Sequence, residues 1–142
     1  MSGFLVDTNV ISEILRAAPD AHVAAWSQQV TKANLFLSVI SMGELRKGVT
    51  ILPPSARRTQ LEKSIEEQVP AWFGNRLLPL TQSIAERWGA LDGGRQLIGR
   101  PLGVPDGQIA QTALEHGLTV VTRNMKDFAD LGVDLLNPWE AI

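Results

Sequence analysis

The chain has 142 residues, of which 44% are hydrophobic and 20% are charged, and this composition excludes an intrinsically disordered protein. It contains no Cys and two His, which excludes a disulfide framework, a thiolate nucleophile and a zinc knuckle, so we expect any metal to be bound through oxygen. With a net charge of −2 and a pI near 5.6, a globally basic surface for nucleic acid is also excluded.

Short apolar runs along the chain predict β-strands. They lie at residues 4–6, 35–40, 76–80, 118–122 and 133–136. The run at 35–40 is continuous, which is typical of a strand buried on both faces of a parallel sheet. The run at 76–80 is weak, because Pro79 restricts it to a sheet edge or a strand end.

Helical spacing of apolar residues separates these strands. We predict helices directly after Asp7, over Val23–Val30, from Ser41, over Leu61–Trp72, from Ile84 with an interruption at Gly93–Gly94, from Asp106 to a cap at Gly117, and a short one at Asp127–Phe128. Alternation of this kind predicts an α/β fold with a central, largely parallel sheet flanked by helices on both faces. The length predicts a single domain over residues 1–142.

Three acidic residues lie at comparable strand-to-helix junctions. Asp7 ends the first strand, Glu44 follows the 35–40 run, and Asp106 opens a later helix. Ligands of open parallel sheets bind beyond the carboxyl ends of the strands, so these three residues are candidates for a shared site. They are far apart in sequence, and only the tertiary fold can gather them.

Clustered carboxylates cannot all remain ionised without a compensating charge. Hard oxygen ligands suit Mg²⁺ or Mn²⁺, and Mg²⁺ often completes its coordination shell with phosphate oxygens of a substrate. The three residues therefore predict metal-dependent phosphodiester chemistry.

A purely structural interpretation of each acidic residue stays open at this point. Ser41 and Glu44 have the spacing of a capping box, in which Glu44 would bond to the backbone at the start of its helix. Asp7 and Asp106 have the positions of helix caps.

Further candidates lie near these positions. Asn124 and Asp127 follow the fourth predicted strand and could face the same cleft, although Asp127 also fits a helix cap. Among the basic residues, Arg46, Lys47 and Arg123 are closest in sequence to the proposed ligands, so we predict that they contact substrate phosphates.

Five segments resemble, in order, the motifs of a PIN domain, and in particular those of the VapC toxins of bacterial type II toxin-antitoxin systems in their FitB-like branch. They are Leu5–Glu13 (LVDTNVISE), Ser38–Gly48 (SVISMGELRKG), Pro105–Ala110 (PDGQIA), Val121–Asn124 (VTRN) and Asn137–Trp139 (NPW). The resemblance covers essentially the whole chain.

This resemblance implies a Mg²⁺- or Mn²⁺-dependent endoribonuclease. It places Asp7, Glu44 and Asp106 at the acidic metal-site positions of the family. Where many relatives have a further Asp after the Thr-Arg pair, this chain has Asn124, which would act in the catalytic set as a neutral ligand or water-orienting group unless Asp127 takes that place.

The resemblance also implies partners. These are an RNA substrate, a VapB-type antitoxin that blocks the site, a second copy of the toxin in a homodimer or higher assembly, and operator DNA bound only through the antitoxin. We expect a cytoplasmic protein without membrane association, because the sequence has no long apolar span and no signal-type leader.

Two functions of other classes compete with this one. One is a receiver-like signalling domain with a phosphoacceptor Asp, which would need an adjacent acidic pair that Val6-Asp7-Thr8 does not offer. The other is a non-catalytic interaction domain whose carboxylates only cap helices.

Overall fold

The computed structural model describes residues 3–140, so residues 1, 2, 141 and 142 of the predicted domain lie outside the described part of the chain. Its strands are β1 (Gly3–Val6), β2 (Leu35–Ser38), β3 (Leu77–Leu78), β4 (Leu118–Val121) and β5 (Leu135–Leu136). They form a parallel sheet in the order β3-β2-β1-β4-β5. This confirms the predicted parallel α/β architecture.

Helices connect the strands. They are α1 (Thr8–Ile14), α2 (Ala21–Gln29), α3 (Val39–Thr50), α4 (Ala56–Lys63), α5 (Val69–Phe73), α6 (Gln82–Leu97) and α7 (Val104–His116). A π turn at Ser64–Gln68 joins α4 to α5, so the predicted helix over Leu61–Trp72 is a succession of helical segments. The short helix predicted at Asp127–Phe128 is a 3₁₀ turn over Met125–Phe128.

The strands bury side chains on both faces of the sheet. Because successive strand residues point to opposite faces, neighbouring residues enter two different cores. Val6, Leu37 and Val121 pack with residues of α1, α2, α3 and α5, whereas Leu5, Leu78 and Val120 pack with residues of α7. Helices therefore cover both faces, as predicted.

The start of α3 differs from the prediction. The Ser38 hydroxyl accepts a hydrogen bond from the Ile40 N–H at 3.0 Å and caps a helix that begins at Val39. The apolar run at 35–40 thus contains the whole of β2 and the first two residues of α3, so the predicted helix start at Ser41 is wrong. Glu44 lies in the second turn of α3, and the predicted capping box of Ser41 and Glu44 is wrong as well.

Two further details correct or confirm the sequence-based prediction. The interruption predicted at Gly93–Gly94 is wrong, because α6 continues through both glycines, which are exposed on its surface. The weak strand near Pro79 is confirmed as the short edge strand β3, which ends before the proline.

The parallel arrangement brings the ends of β1, β2 and β4 to one edge of the sheet, which we call the carboxyl edge. Asp7 follows β1, α3 starts after β2, and Thr122 follows β4 at this edge. Helix α7 packs against both α3 and β4, so its first turn also belongs to this region. Within residues 3–140 no helix has the length and apolar character needed to cross a membrane.

Candidate metal and phosphodiester site

Asp7 is a buried carboxylate whose position is fixed by three hydrogen bonds. Its Oδ1 accepts from the Thr8 N–H at 2.8 Å, so Asp7 does cap α1. Its Oδ2 accepts from the Thr122 hydroxyl at 2.8 Å and from the Asn9 side-chain amide at 3.2 Å. The side chain is only 4% exposed. Since Oδ2 has two donors and Oδ1 has one, Oδ1 retains a lone pair for a further ligand.

Glu44 is connected to α1 through the hydroxyl of Thr8. The Thr8 Oγ1 lies 2.6 Å from Glu44 Oε1 and 2.9 Å from the hydroxyl of Ser41, which is fully buried. An ionised carboxylate only accepts hydrogen bonds, so the single proton of the Thr8 hydroxyl belongs to Glu44 and Ser41 donates to Thr8. This chain of hydroxyls orients Glu44 towards the end of β1.

Asp106 lies in the first turn of α7. The cap of this helix is Gly103, and no side chain caps it, so the interpretation of Asp106 as a helix cap is wrong. Pro105, which precedes Asp106, lines a cavity of about 370 Å³ together with Glu44 and Lys47. The beginnings of α3 and α7 therefore border a common cleft.

The acidic residues act on one another electrostatically. Burial raises the pKa of Asp7, and repulsion from Glu44 and Asp127 raises it further, while hydrogen bonds from Thr122 and Thr8 oppose the rise. Burial also raises the pKa of Asp106, to about 6, with added repulsion from Asp7, Asp127 and Glu44. The fold thus brings the carboxylates predicted from the sequence within range of mutual repulsion.

Asp127 and Asn124 differ in their relation to this cluster. Asp127 is exposed in the 3₁₀ turn after β4, and its charge raises the pKa of both Asp7 and Asp106. Asn124 is also exposed, and its main-chain N–H donates to the Thr122 hydroxyl at 3.0 Å. The fourth acidic charge near the site therefore belongs to Asp127.

The predicted phosphate-binding residues have different surroundings. The guanidinium of Arg46 forms ion pairs with Glu66 at 2.9 Å and with Glu62 at 3.6 Å, so it is directed towards α4 and the π turn. Lys47 is exposed beside the cleft. Arg123 is exposed directly after Thr122.

The donor set fits a hard divalent cation. In the described part of the chain no Lys or Arg forms an ion pair with Asp7, Glu44, Asp106 or Asp127, so their repulsion is not compensated by the protein. Among residues 3–140 no three acidic or imidazole side chains are arranged so that together they could hold a metal ion. Mg²⁺ does not require three protein ligands, because it commonly binds through one or two carboxylates and retains several waters.

The hydroxyl groups around the carboxylates were not predicted as site residues. Thr122 supports Asp7, and Ser41 supports Glu44 through Thr8. Thr122 comes directly after a buried strand and Thr8 comes two residues after one, and these positions were a usable signal. Ser41 gave no such signal, because its spacing to Glu44 resembled a capping box.

Comparison with known proteins places these features in a family context. The model of the PIN domain family matches residues 4–133. The VapC ribonuclease Y4jK of Sinorhizobium fredii (strain NBRC 101917 / NGR234) is 38% identical over 136 residues, which are 96% of this chain and 97% of that protein. Toxin FitB of Neisseria gonorrhoeae (strain ATCC 700825 / FA 1090) is 36% identical over 135 residues, or 95% and 97% of the two chains.

A solved structure has the same fold. One chain in the structure of FitAB bound to an IR36 DNA fragment matches with a TM-score of 0.87 and 33% identity, covering 98% of this chain and 97% of that chain.

Proposed function

Because the chain belongs to the PIN-domain family, as its motifs predict, we propose that it is the toxin of a type II toxin-antitoxin system and acts as an endoribonuclease. The observation that carries the proposal is the group of uncompensated carboxylates at the carboxyl edge. Asp7, Glu44 and Asp106 would hold Mg²⁺ or Mn²⁺ there. When bound, a divalent ion neutralises charge that develops on the scissile phosphate and makes water a better nucleophile at neutral pH.

The residues of the chain have distinct roles in this proposal. Asp7 is the fixed member, because burial and three donors hold its carboxylate in one orientation. Glu44 is oriented by the hydroxyl of Thr8, the residue that follows Asp7. Asp106 contributes charge from the first turn of α7, and burial, with added repulsion from Asp7, Asp127 and Glu44, raises its pKa to about 6.

The flanks of the site would contact the RNA strand. Lys47 is exposed beside Glu44, and Arg123 lies on the opposite side of Asp7. Arg46 would have to leave its ion pairs with Glu62 and Glu66 to do the same, so its contribution is expected to be smaller. Asp127 provides the fourth acidic charge, and Asn124 would orient water.

The partners of this toxin are part of the same proposal. A VapB-type antitoxin would cover the cleft, and the complex would bind operator DNA through the antitoxin, in keeping with the similarity to a chain of the DNA-bound FitAB structure and with this chain's pI near 5.6. We also propose that the toxin forms a homodimer or a higher assembly and that it is cytoplasmic, as expected from the sequence.

An RNA cleavage assay tests the proposal. Protein purified free of antitoxin is incubated with structured RNA in Mg²⁺, in Mn²⁺ and in EDTA. We expect cleavage with either ion, none in EDTA, and none for Asp7→Asn. Glu67→Gln is the matched control, because it removes an exposed carboxylate of the π turn and should cleave as wild type does. Absence of cleavage by the wild type, or equal cleavage in EDTA, would refute the proposal.

A further inference from the structure

Arg123 lies over the ring of Trp139. Its guanidinium carbon is 5.2 Å from the ring centroid, within the range of a cation–π interaction. Trp139 is a stable platform, because it packs against the core that contains Val6 and its main-chain N–H donates to the Asn137 side chain at 2.9 Å. The ring therefore restricts an exposed and otherwise flexible cation.

The charge of Arg123 is not neutralised by the described part of the protein. Other arginines form ion pairs with carboxylates, namely Arg16, Arg46, Arg58, Arg87 and Arg100. Arg57 and Arg76 donate to main-chain carbonyls. Within residues 3–140 no carboxylate or carbonyl accepts a hydrogen bond from the Arg123 guanidinium, so its N–H groups are available to a ligand.

Arg123 and Trp139 lie next to the acidic cluster. The Arg123 main-chain N–H donates to Asn9 Oδ1 at 3.4 Å, and Asn9 in turn donates to Asp7 Oδ2 at 3.2 Å. Trp139 follows β5, which is hydrogen-bonded to β4 on the side of the sheet away from β2. Arg123 and Glu44 thus lie on opposite sides of Asp7 along the carboxyl edge.

We propose that Arg123, held on the face of Trp139, binds a backbone phosphate of single-stranded RNA next to the acidic cleft. This inference rests on the proposed ribonuclease function. A guanidinium that packs over an aromatic ring can still present N–H groups to a ligand, and a pair of these N–H groups matches two phosphate oxygens. Because the ring already limits the side-chain conformations, less entropy is lost when the phosphate binds. Trp139 acts through Arg123 and is a positioning residue.

RNA binding without cleavage tests this arrangement of Arg123 on Trp139, which we call the clamp. Fluorescence anisotropy of a short, labelled single-stranded RNA is measured in EDTA on the Asp106→Asn background, over a range of salt concentrations. We expect Arg123→Ala to weaken binding by about tenfold and to lower the slope of log affinity against log salt by about 0.7, the value for one phosphate of a single strand. Arg87→Ala is the control, since Arg87 is an exposed arginine paired with Glu115.

Conservative variants separate charge from positioning. Arg123→Lys should retain the salt slope and still bind more weakly, because an ammonium cannot bind two phosphate oxygens in the same planar way. Trp139→Phe should bind more weakly with the same slope, and thermal denaturation checks that it is folded, since Trp139 contacts the core.

Different results separate the clamp from the ribonuclease function. If Arg123→Ala matches Arg87→Ala in affinity and slope while the wild type cleaves RNA, the clamp is wrong and the function stands. The clamp is equally refuted if Arg123→Ala retains RNA affinity but loses binding of the antitoxin, because Arg123 then serves a protein partner. If Arg123→Ala loses RNA affinity and the wild type does not cleave RNA with Mg²⁺, the clamp stands and the function is wrong.

Discussion

Substitution of Asp106 by Asn should stabilise the metal-free protein. The carboxylate of Asp106 is partly buried and repelled by Asp7, Asp127 and Glu44, so its ionisation opposes folding at neutral pH. Asn removes the charge and retains the size of the side chain. Asp106 caps no helix, so no capping hydrogen bond is lost.

The shift in pKa sets the size of this effect. A rise from 3.8 to about 6 corresponds to roughly 3 kcal/mol, at about 1.4 kcal/mol for each pKa unit. Solvent screening reduces this figure, and loss of an anion from the first turn of α7 costs about 0.3–1 kcal/mol. We expect a net stabilisation of about 1–2 kcal/mol at pH 7, or roughly 3–6 °C in melting temperature for a domain of this size.

The pH dependence has a definite sign. Between about pH 4 and pH 6 the folded protein retains a proton on Asp106 that the unfolded chain releases, so wild-type stability falls as the pH rises through this window. The gain in stability of Asp106→Asn over wild type should therefore be small at pH 4 and reach its full size above pH 6.

Thermal denaturation in EDTA at several pH values measures this gain in stability. Asp134→Asn is the control, because Asp134 is exposed. If the variant is less stable than wild type at pH 7, or if its gain in stability does not vary with pH, ionisation of Asp106 does not oppose folding.

Substitutions at four further positions test the carboxylates and their surroundings. Ser41→Ala and Thr8→Val should each weaken Mn²⁺ affinity by roughly tenfold, measured by calorimetry, while Thr8→Ser retains it. The reason is that Thr8→Val removes the hydroxyl that donates to Glu44, and Ser41→Ala removes the hydroxyl that orients Thr8. Equal affinities would contradict this role. Glu44→Gln should abolish RNA cleavage with little change in melting temperature, because Glu44 caps no helix, and retained cleavage would remove it from the site. Gly107→Ala should destabilise the protein by about 1–3 kcal/mol in urea denaturation, since a Cβ there would lie 2.7 Å from the Trp88 ring, and unchanged stability would show that the ring moves freely.

The sheet and its acidic edge were predictable from local sequence. Short apolar runs such as 118–122 indicate buried strands, and the confirmed alternation with helices brings the carboxyl ends of these parallel strands together. Asp7 and Asp106 could be selected as candidates because each lies where a strand or loop passes into a helix at that edge.

Helix boundaries were less predictable where two patterns overlap. Val39 and Ile40 favour a strand by side-chain type, but Ser38 caps a helix that includes both. The two glycines at 93 and 94 suggested a break, yet packing of α6 on α7 outweighs their low helix propensity. In each case tertiary packing or a single cap overrides a local tendency.

The hydrogen-bond network of the site depends on contacts between distant segments. Thr8 in α1 forms hydrogen bonds with Ser41 and Glu44 in α3, and Thr122 after β4 forms one with Asp7 after β1. Sequence spacing carries no information on these contacts, because the fold alone determines which hydroxyl faces which carboxylate. The same holds for Arg123 on Trp139, which joins the ends of β4 and β5.

Anomalous diffraction from crystals soaked in Mn²⁺ would locate a metal ion bound at the carboxyl edge. If the carboxylates of the carboxyl edge form one metal site, a single strong peak should lie within coordination distance of Asp7 Oδ1, with Glu44 or Asp106 oxygens as further ligands, and it should vanish in Asp7→Asn crystals. An absence of any peak at this edge, or a peak bound only by carboxylates elsewhere on the molecule, would contradict the account.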